Sequence, residues 1–567
     1  MAYRWFRPEN IKSIPEMLKN QVEKRGGSAA LIYFGKKISY QSLWDLSRRT
    51  ADIISRNSRL DDRIAIFMPN MPQFVFSYYG ALLAERVVVP IDFGSIVNEL
   101  KIKPTDQIKI TKDIADRLTD SRPSLILVAD FLYPILRQVT MDWPHKIVVT
   151  SPADFLPFPL NWLYPLKAKR GGKYTGPFPK DILNLKSELA QAAAYDRRYP
   201  HIGAIAQLQY TGGTTGVPKG AVLTHKNLVS DVLQVREHLG DLLKEGEEVT
   251  LGALPFFHVY GLTAAMNTTL LGLGGTLVLM PSFDPKSAIK AIDKYQVTLF
   301  PGINRMYQKI VEQESLMKQS GLSSLKLCIS GGGPIDQSIC DKFRELTGTA
   351  IVEGYGMSET SPVVSITLPS DIDKPRGQKG NLVGTLLPDV EAKIIDSAGN
   401  ELPEGEIGTF CVKGPNVMIG YYNKPSETSG VLKNGWFRSG DLCFLAGRDL
   451  YFVDRVGDLI KRRGEQIYAS HIEKKLIEYP LVAEAVVIGV LDKKDGEVPV
   501  ACVVLKTSAS CSKSQAGSEI LEYMKSSSTI LQVPSRILIF QSLDEYKTVI
   551  GKILKRKLKE EVLKRLQ

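Results

Sequence analysis

Cysteine and histidine are scarce, with six of each in 567 residues. Cys328, Cys340, Cys411, Cys443, Cys502 and Cys511 never fall at C-x-x-C spacing. That excludes a disulfide framework or a thiolate zinc site and points to a reducing compartment. The start of the chain, MAYRWFRPENIKSIPEML, lacks an apolar run behind its charges, so no secretory leader is expected. Long hydrophobic runs are missing with one exception. Leu251 to Met280 carries no Lys, Arg, Asp or Glu, and a run of that length is enough to span a bilayer. It also holds Pro255, His258, Asn267 and glycines 252, 261, 272, 274 and 275, so a buried core reading suits it better. We expect a helix of about ten residues from Gly261, a break at Gly272–Gly275 and a strand Thr276–Met280.

What is present is ordinary globular composition: 44% hydrophobic, 23% charged and a mean hydropathy of −0.07. Disorder and a polytopic membrane protein are thereby excluded. Lys and Arg outnumber Asp and Glu by 72 to 61, a net charge of +11. Such a balance suits nucleic acid, anionic lipid or a polyanionic small molecule. No helix-turn-helix, RRM or zinc module is legible, which argues against nucleic acid.

At roughly 150 residues per domain the length predicts about four units. Short apolar runs at Ile64–Met68, Val87–Val89, Leu125–Val128, Ile147–Thr150, Thr276–Met280, Thr298–Phe300 and Leu327–Ser330 alternate with helix-length segments such as Gln73–Ala84. Continuous apolar strands between helices imply parallel sheets covered on both faces. After about residue 380, glycine-rich turns at Asp396–Asn400 and Pro403–Gly408 separate short strands. The expected fold class is therefore α/β. A large multi-subdomain N-terminal domain of βαβ sheets (1–454) includes a β-rich subdomain (about 380–454), and a small, separate α+β lid follows (455–567). Its linker is expected near Asp454–Asp458, with an amphipathic helix near His471–Tyr479 and strands at Ala485–Val490 and Val498–Leu505.

The most informative segment reads Gln209-Tyr210-Thr211-Gly212-Gly213-Thr214-Thr215-Gly216-Val217-Pro218-Lys219-Gly220. Three glycines let backbone N–H groups converge, Thr211, Thr214 and Thr215 add hydroxyls, and Lys219 adds charge, as a nest for polyphosphate requires. It is not a Walker loop, because Lys219 stands three residues past Gly216 and Ala221-Val222-Leu223 reads as a strand. A Gly/Thr hairpin turn is the plainer alternative.

From this point the chain resembles the adenylate-forming (AMP-binding) superfamily, long-chain fatty acyl-CoA synthetase type. Further motifs carry that resemblance in family order: Leu254-Pro255-Phe256-Phe257-His258-Val259-Tyr260-Gly261, Ser330-Gly331-Gly332-Gly333-Pro334 and Glu353-Gly354-Tyr355-Gly356-Met357-Ser358-Glu359-Thr360. Then follow Gly435-Trp436-Phe437-Arg438-Ser439-Gly440-Asp441, Asp454-Arg455 and Gly551-Lys552-Ile553-Leu554. The resemblance implies that a fatty acid is joined to ATP as acyl-AMP and then passed to CoA. A carboxylate needs no general base; the difficulty is bringing an anion to a polyanion. By resemblance Lys219, Lys552 and a Mg²⁺ held by Glu359, with Thr215, supply the positive charge. The nucleotide lies on the 211–219 loop, Gly331–Gly333, Glu353, Gly354, Tyr355, Gly356, Thr360, Asp441 and Arg455, with Tyr355 stacked on adenine and Asp441 on the ribose. His258 is implied where the acyl and thiol channels meet, gated by Phe256, Phe257 and Tyr260, and Gly457 is implied as the hinge. Duller readings stand beside these: a surface carboxylate for Glu359, a turn cap for Asp441 and a satisfied core histidine for His258.

Arg462-Arg463 stand where the family has Ser-Gly, and Ala469 and His471 also depart from its pattern. Those arginines are candidates for the CoA phosphates, and the departures leave the second half-reaction less supported than the first. Phe155–Lys180 sets Phe158, Leu160, Trp162, Leu163, Tyr164 and Leu166 beside Lys167, Lys169, Arg170 and Lys173. Aromatics next to cations suit an anionic membrane surface. Its prolines suggest a loop, either dipping into headgroups or strapped to the core. The expected location is cytoplasmic, peripheral on the inner face of a membrane. The competing functions are an acyl-AMP ligase serving a carrier protein, a luciferase-like oxygenase, and a catalytically silent lipid- or nucleotide-binding protein.

Overall fold

Apolar runs of four or five residues with helices between them have one stable arrangement, a parallel sheet covered on both sides. The computed structural model, which describes residues 4–93, 104–171, 173–211, 218–372, 380–492, 494–506, 512–547 and 553–566, has that arrangement. Its Cα packing divides it into two compact units.

The first unit comprises 1–373, 384–391 and 413–435. One of its sheets runs in the order Gly420–Tyr421, Lys219–Thr224, Ile205–Thr211, Val87–Pro90, Arg63–Phe67, Leu125–Ala129, Lys146–Thr150, Leu183–Asn184. It is parallel from Ile205–Thr211 onward and antiparallel at the edge that carries Lys219. In the other, Val363–Ile366, Ile351–Gly356, Leu327–Gly331, Leu299–Gly302, Val249–Gly252, Thr276–Leu279, Ala29–Tyr33 and Lys36–Ser39 follow one another. Its interior pairs are parallel and the two ends antiparallel. Helix Pro72–Leu83 is buried at every position.

The charge-free stretch lies in the core, as its composition requires. It forms a π-helical segment, Tyr260–Leu273, longer than the ten residues expected, and then strand Thr276–Leu279. Its one amide is satisfied: Tyr79 donates to Asn267 Oδ1 at 3.0 Å, and Asn267 Nδ2 donates to Tyr78 at 3.4 Å. Among the described residues no helix is long and apolar enough to cross a membrane. The five described cysteines are free and buried.

The second unit comprises 374–383, 392–412 and 436–567. It holds the short antiparallel strands Gly408–Lys413, Trp436–Ala446 and Asp449–Arg455, and a five-stranded sheet built on Val482–Asp492 and Gly496–Leu505. Alternation along Val482–Asp492 sends Ala485 and Val487 to one face and Val486, Ile488 and Val490 to the other. The first face packs on Ile472 and Leu476 of helix Ala469–Ile477 with Ile520 and Met524 of Lys513–Ser527. The second packs on Leu558 and Val562 of Lys555–Leu566. The mixed α/β fold, with a large N-terminal domain and a smaller C-terminal one, agrees with the sequence reading.

Proline led us to expect a loop at Phe155–Lys180, and that is corrected: Leu160–Arg170 is helical with Pro165 inside it. Proline removes the bond to the carbonyl four residues back. That carbonyl belongs to Asn161, on the exposed surface, where water can take its place.

Candidate active site

Strands Ile205–Thr211 and Lys219–Thr224 are antiparallel neighbours, so the ends of the glycine-rich segment are paired directly, Thr211 opposite Lys219. The Thr211 hydroxyl donates to the Lys219 carbonyl at 3.5 Å. Gly212, Gly213, Thr214, Thr215 and Gly216 lie outside the described residues, as do Gly551 and Lys552.

In the other sheet the parallel strands Leu327–Gly331 and Ile351–Gly356 set Ser330 opposite Glu353 and Gly331 opposite Gly354. A Cβ on Gly331 would come within 2.9 Å of the Tyr260 ring, and one on Gly356 would collide with the Pro362 carbonyl, so both positions require glycine. Gly332 and Gly333 continue past the strand end, where a Cβ on Gly333 would meet open space. Tyr355 is half-buried and pairs with Ser365. Glu353 is buried, its backbone N–H donating to Thr367 Oγ1 at 2.6 Å. Thr360 is buried too, its hydroxyl donating to Pro362 O at 2.6 Å and accepting from Met357 N at 3.2 Å. That hydroxyl closes its own turn.

Glu359, in the short turn Ser358–Thr360, is half-buried and accepts the Tyr421 hydroxyl at 2.7 Å. The Lys219 ammonium stands 5.4 Å above the centre of the same Tyr421 ring. Tyr421 belongs to no motif read from the sequence, and only the pairing of Gly420–Tyr421 with Lys219–Thr224 brings it here.

His258 is backed by two residues that sequence reading missed. Asp92 Oδ2 lies 3.8 Å from its Nε2, and Arg117 donates to the Asp92 carbonyl at 2.9 Å and approaches its carboxylate at 3.5 Å. Burial pushes the His258 pKa below its usual value; Asp92 opposes that and Arg117 adds to it. The imidazole is therefore neutral at neutral pH. Phe256 and Phe257 pack edge-to-face on Phe74 and Phe93. Tyr260 is anchored differently, donating toward the carbonyls of Gly302 and Ile329.

In the second unit Asp441 and Arg455 face each other across an antiparallel pair, with Nε to Oδ1 3.6 Å. The Asp441 N–H donates to Ser439 Oγ at 3.1 Å, so the turn-capping side chain here is Ser439 and the aspartate carboxylate faces an arginine. The turn Val456–Asp458 follows, and a Cβ on Gly457 would meet nothing within 4 Å. Lys555 joins Asp458 to Glu473, at 3.4 and 3.1 Å. Arg462, considered for CoA, is engaged within its own unit. It pairs with Asp495 at 3.2 Å and donates to the carbonyls of Leu531 and Val533, while Arg463 keeps 57% of its side chain exposed.

A glycine-rich hairpin base carrying a lysine, a glycine turn at the end of a strand, and a carboxylate that shares one tyrosine with that lysine suit a nucleotide-dependent, adenylate-forming ligase. Comparison with known proteins agrees. The family model for AMP-binding enzymes matches residues 18–422, and that for the AMP-binding enzyme C-terminal domain matches 471–552. A long-chain-fatty-acid–CoA ligase of Bacillus subtilis is 36% identical over 97% of this chain and 94% of its own. One from Escherichia coli O6:H1 is 30% identical over 98% and 95%. The crystal structure of ATP-bound MatB from Rhodopseudomonas palustris superposes with a TM-score of 0.79 at 25% identity, over 97% of this chain and 99% of that one. The chain belongs to the AMP-binding, adenylate-forming enzyme family and is of its fatty acyl-CoA synthetase type, an acid–thiol ligase that uses ATP and CoA.

Proposed function

We propose that this protein activates a medium- or long-chain fatty acid with ATP to acyl-AMP, releasing pyrophosphate, and transfers the acyl group to CoA, releasing AMP. The observation that carries this reading is the ordered set of motifs along nearly the whole chain, with Lys219 and Glu359 drawn to one tyrosine at the base of the glycine-rich hairpin. In this reading Lys219 and Lys552 offset the charge of the triphosphate and the incoming carboxylate. Tyr355 stacks on adenine beside Gly331–Gly333, and Asp441 with Arg455 holds the ribose. His258, neutral and packed against the Phe257 ring, lines the acyl–thiol junction.

Glu359 fits a Mg²⁺ site of the kind that uses one or two carboxylates plus phosphate oxygens. Among the described residues no group of three or more carboxylate, imidazole or thiolate side chains gathers to form a dedicated cage. When bound, the ion would neutralise phosphate charge and align the α-phosphate; Glu359 and Thr215 are its proposed protein ligands. We place the functional boundary at 454/455, with Gly457 as hinge between an adenylating and a thioester-forming pose. Pyrophosphate release across a panel of acids, with and without CoA, tests the whole reading. Release stimulated most by medium- or long-chain acids, with acyl-CoA formed only when CoA is added, supports it. Acyl-AMP that CoA never discharges would favour a carrier-protein acceptor.

A membrane surface is the proposed further partner, through helix Leu160–Arg170. Ala168 is buried and Tyr164 half-buried, one turn apart on the inward side. Trp162 and Leu166, also one turn apart, lie opposite and are 72% and 57% exposed, with Phe158 at 84%. Lys167, Lys169 and Arg170 follow, each worth about 1 kcal/mol near an anionic surface. Replacing Trp162, Leu163 and Leu166 by serine is expected to reduce co-sedimentation with anionic vesicles, and high salt to reduce it in the wild type. Activity on a short, soluble acid should be unchanged. Wild type that stays in the supernatant at low salt would refute this partner.

A further inference from the structure

Tyr421 is held from several directions. Ile419 N donates to Val222 O at 3.1 Å, Tyr422 N to Gly220 O at 2.8 Å and Tyr421 N to Thr428 Oγ1 at 2.9 Å. Met418 N donates to the Glu359 carbonyl at 2.8 Å. One short stretch of chain is thus stitched both to the strand that begins with Lys219 and to the turn that carries Glu359. Beneath it, buried Asn416 gives its amide hydrogens to Thr360 O at 3.0 Å and Val363 O at 2.8 Å. Buried Asp231 accepts from Val363 N at 3.0 Å, which locks the far side of the same turn. A phenol mounted on such a frame has little freedom, as a group that sets another group's geometry requires.

We propose that Tyr421 is a positioning residue that holds the Glu359 carboxylate on its hydroxyl and the Lys219 ammonium on its ring face, so that metal and triphosphate meet a preset carboxylate and a preset cation. This rests on the reading of Glu359 as the metal-side carboxylate. The physical reason is that a lysine and a carboxylate free to meet would neutralise each other, and the incoming ligand would have to part them. A phenol O–H and an aromatic face retain each charge without cancelling it. Tyr421 donates to Glu359 Oε1, one oxygen of a carboxylate whose two oxygens offer about four acceptor sites. Partners of this kind, behind a ligating group, typically change metal affinity by 10–100-fold when removed.

The test uses the full-length protein, with Mn²⁺ as a paramagnetic probe titrated in the presence of ATP and read by EPR, independently of turnover. Tyr421→Phe keeps the ring and removes the donor. It is expected to weaken ATP-dependent Mn²⁺ binding about tenfold and to raise the Mg²⁺ needed for half-maximal pyrophosphate release by a similar factor. The maximal rate should fall less than the metal affinity does. Tyr421→Leu, which also removes the ring, should in addition raise the KM for ATP at saturating metal. In the double variant Glu359→Gln/Tyr421→Phe the loss should be no greater than in Glu359→Gln alone, because the hydroxyl acts through that carboxylate. Wild-type Mn²⁺ binding by Tyr421→Phe, with Glu359→Gln impaired, would overturn the proposal and leave the metal reading standing. Additive losses in the double variant would also overturn it. Unimpaired binding by Glu359→Gln would remove the metal reading itself.

Discussion

Lys552→Ala is expected to lower acid-dependent ATP–pyrophosphate exchange by on the order of 10²–10³, the usual cost of losing one positioned donor to developing charge. Between a carboxylate and an α-phosphate, negative charge concentrates at a site where water is excluded, and a cation there acts in a low dielectric. Eight Lys or Arg residues lie between Lys547 and Gln567, so generic positive charge is plentiful. What sets Lys552 apart is its Gly551-Lys552-Ile553-Leu554 setting and the anchoring of its flanks. Lys547 and Ile553 pair, Leu554 N donates to Tyr546 O at 2.7 Å, and the Lys547 ammonium reaches Glu484 at 2.7 Å. The same variant should still form thioester from pre-formed acyl-AMP and CoA, because the phosphoanhydride has by then been cleaved. Lys564→Ala, an exposed cation of the same tail, is the control and should leave exchange unchanged. Equal exchange by Lys552→Ala and wild type would refute the assignment.

Gly457→Pro is expected to separate the two half-reactions. Proline fixes φ near −65°, so a hinge built on that bond is held in one pose. Adenylation should survive, while thioester formation from pre-formed acyl-AMP should fall by on the order of 10², the scale of a 1 Å misplacement of reacting groups. The present conformation does not itself call for glycine: Gly457 lies in a turn, and a Cβ there would meet open space. A need for glycine would therefore arise from a second conformation. Gly457→Ala, which fits the observed turn, should be milder in both assays. Equal losses in both half-reactions would count against the hinge, and matched thermal unfolding of the two variants would exclude simple destabilisation.

Elements whose signal is local were legible in the sequence. Ile64–Met68 was read as a strand and is one at Arg63–Phe67; Leu327–Ser330 is one at Leu327–Gly331, and His471–Tyr479 is a helix at Ala469–Ile477. A short apolar run bounded by turn residues has few places to go but a buried strand, so composition and spacing carry the answer. The charge-free stretch was legible for the same reason, since proline, asparagine and glycine made a core segment cheaper than a membrane span. Proline misled at Leu160–Arg170 because exposure decides whether a lost backbone bond can be replaced by water, and exposure is a tertiary property.

The residues of the proposed site likewise lie in local motifs: the hydroxyl- and glycine-rich run before Lys219, Glu359 four residues after Tyr355, and Asp441 ahead of Arg455. Which residues orient them was decided only by the fold. Tyr421 stands 62 positions from the carboxylate it holds, on a strand of two residues with no pattern of its own. Asp92 and Arg117, behind His258, come from segments remote from the aromatic motif. Arg462 carries the charge a phosphate would want, yet Asp495 and nearby backbone carbonyls take up its donors. Local sequence specifies backbone preference and functional-group type, whereas a side chain's partner depends on which distant strands share an edge, and that is settled only when the sheets assemble.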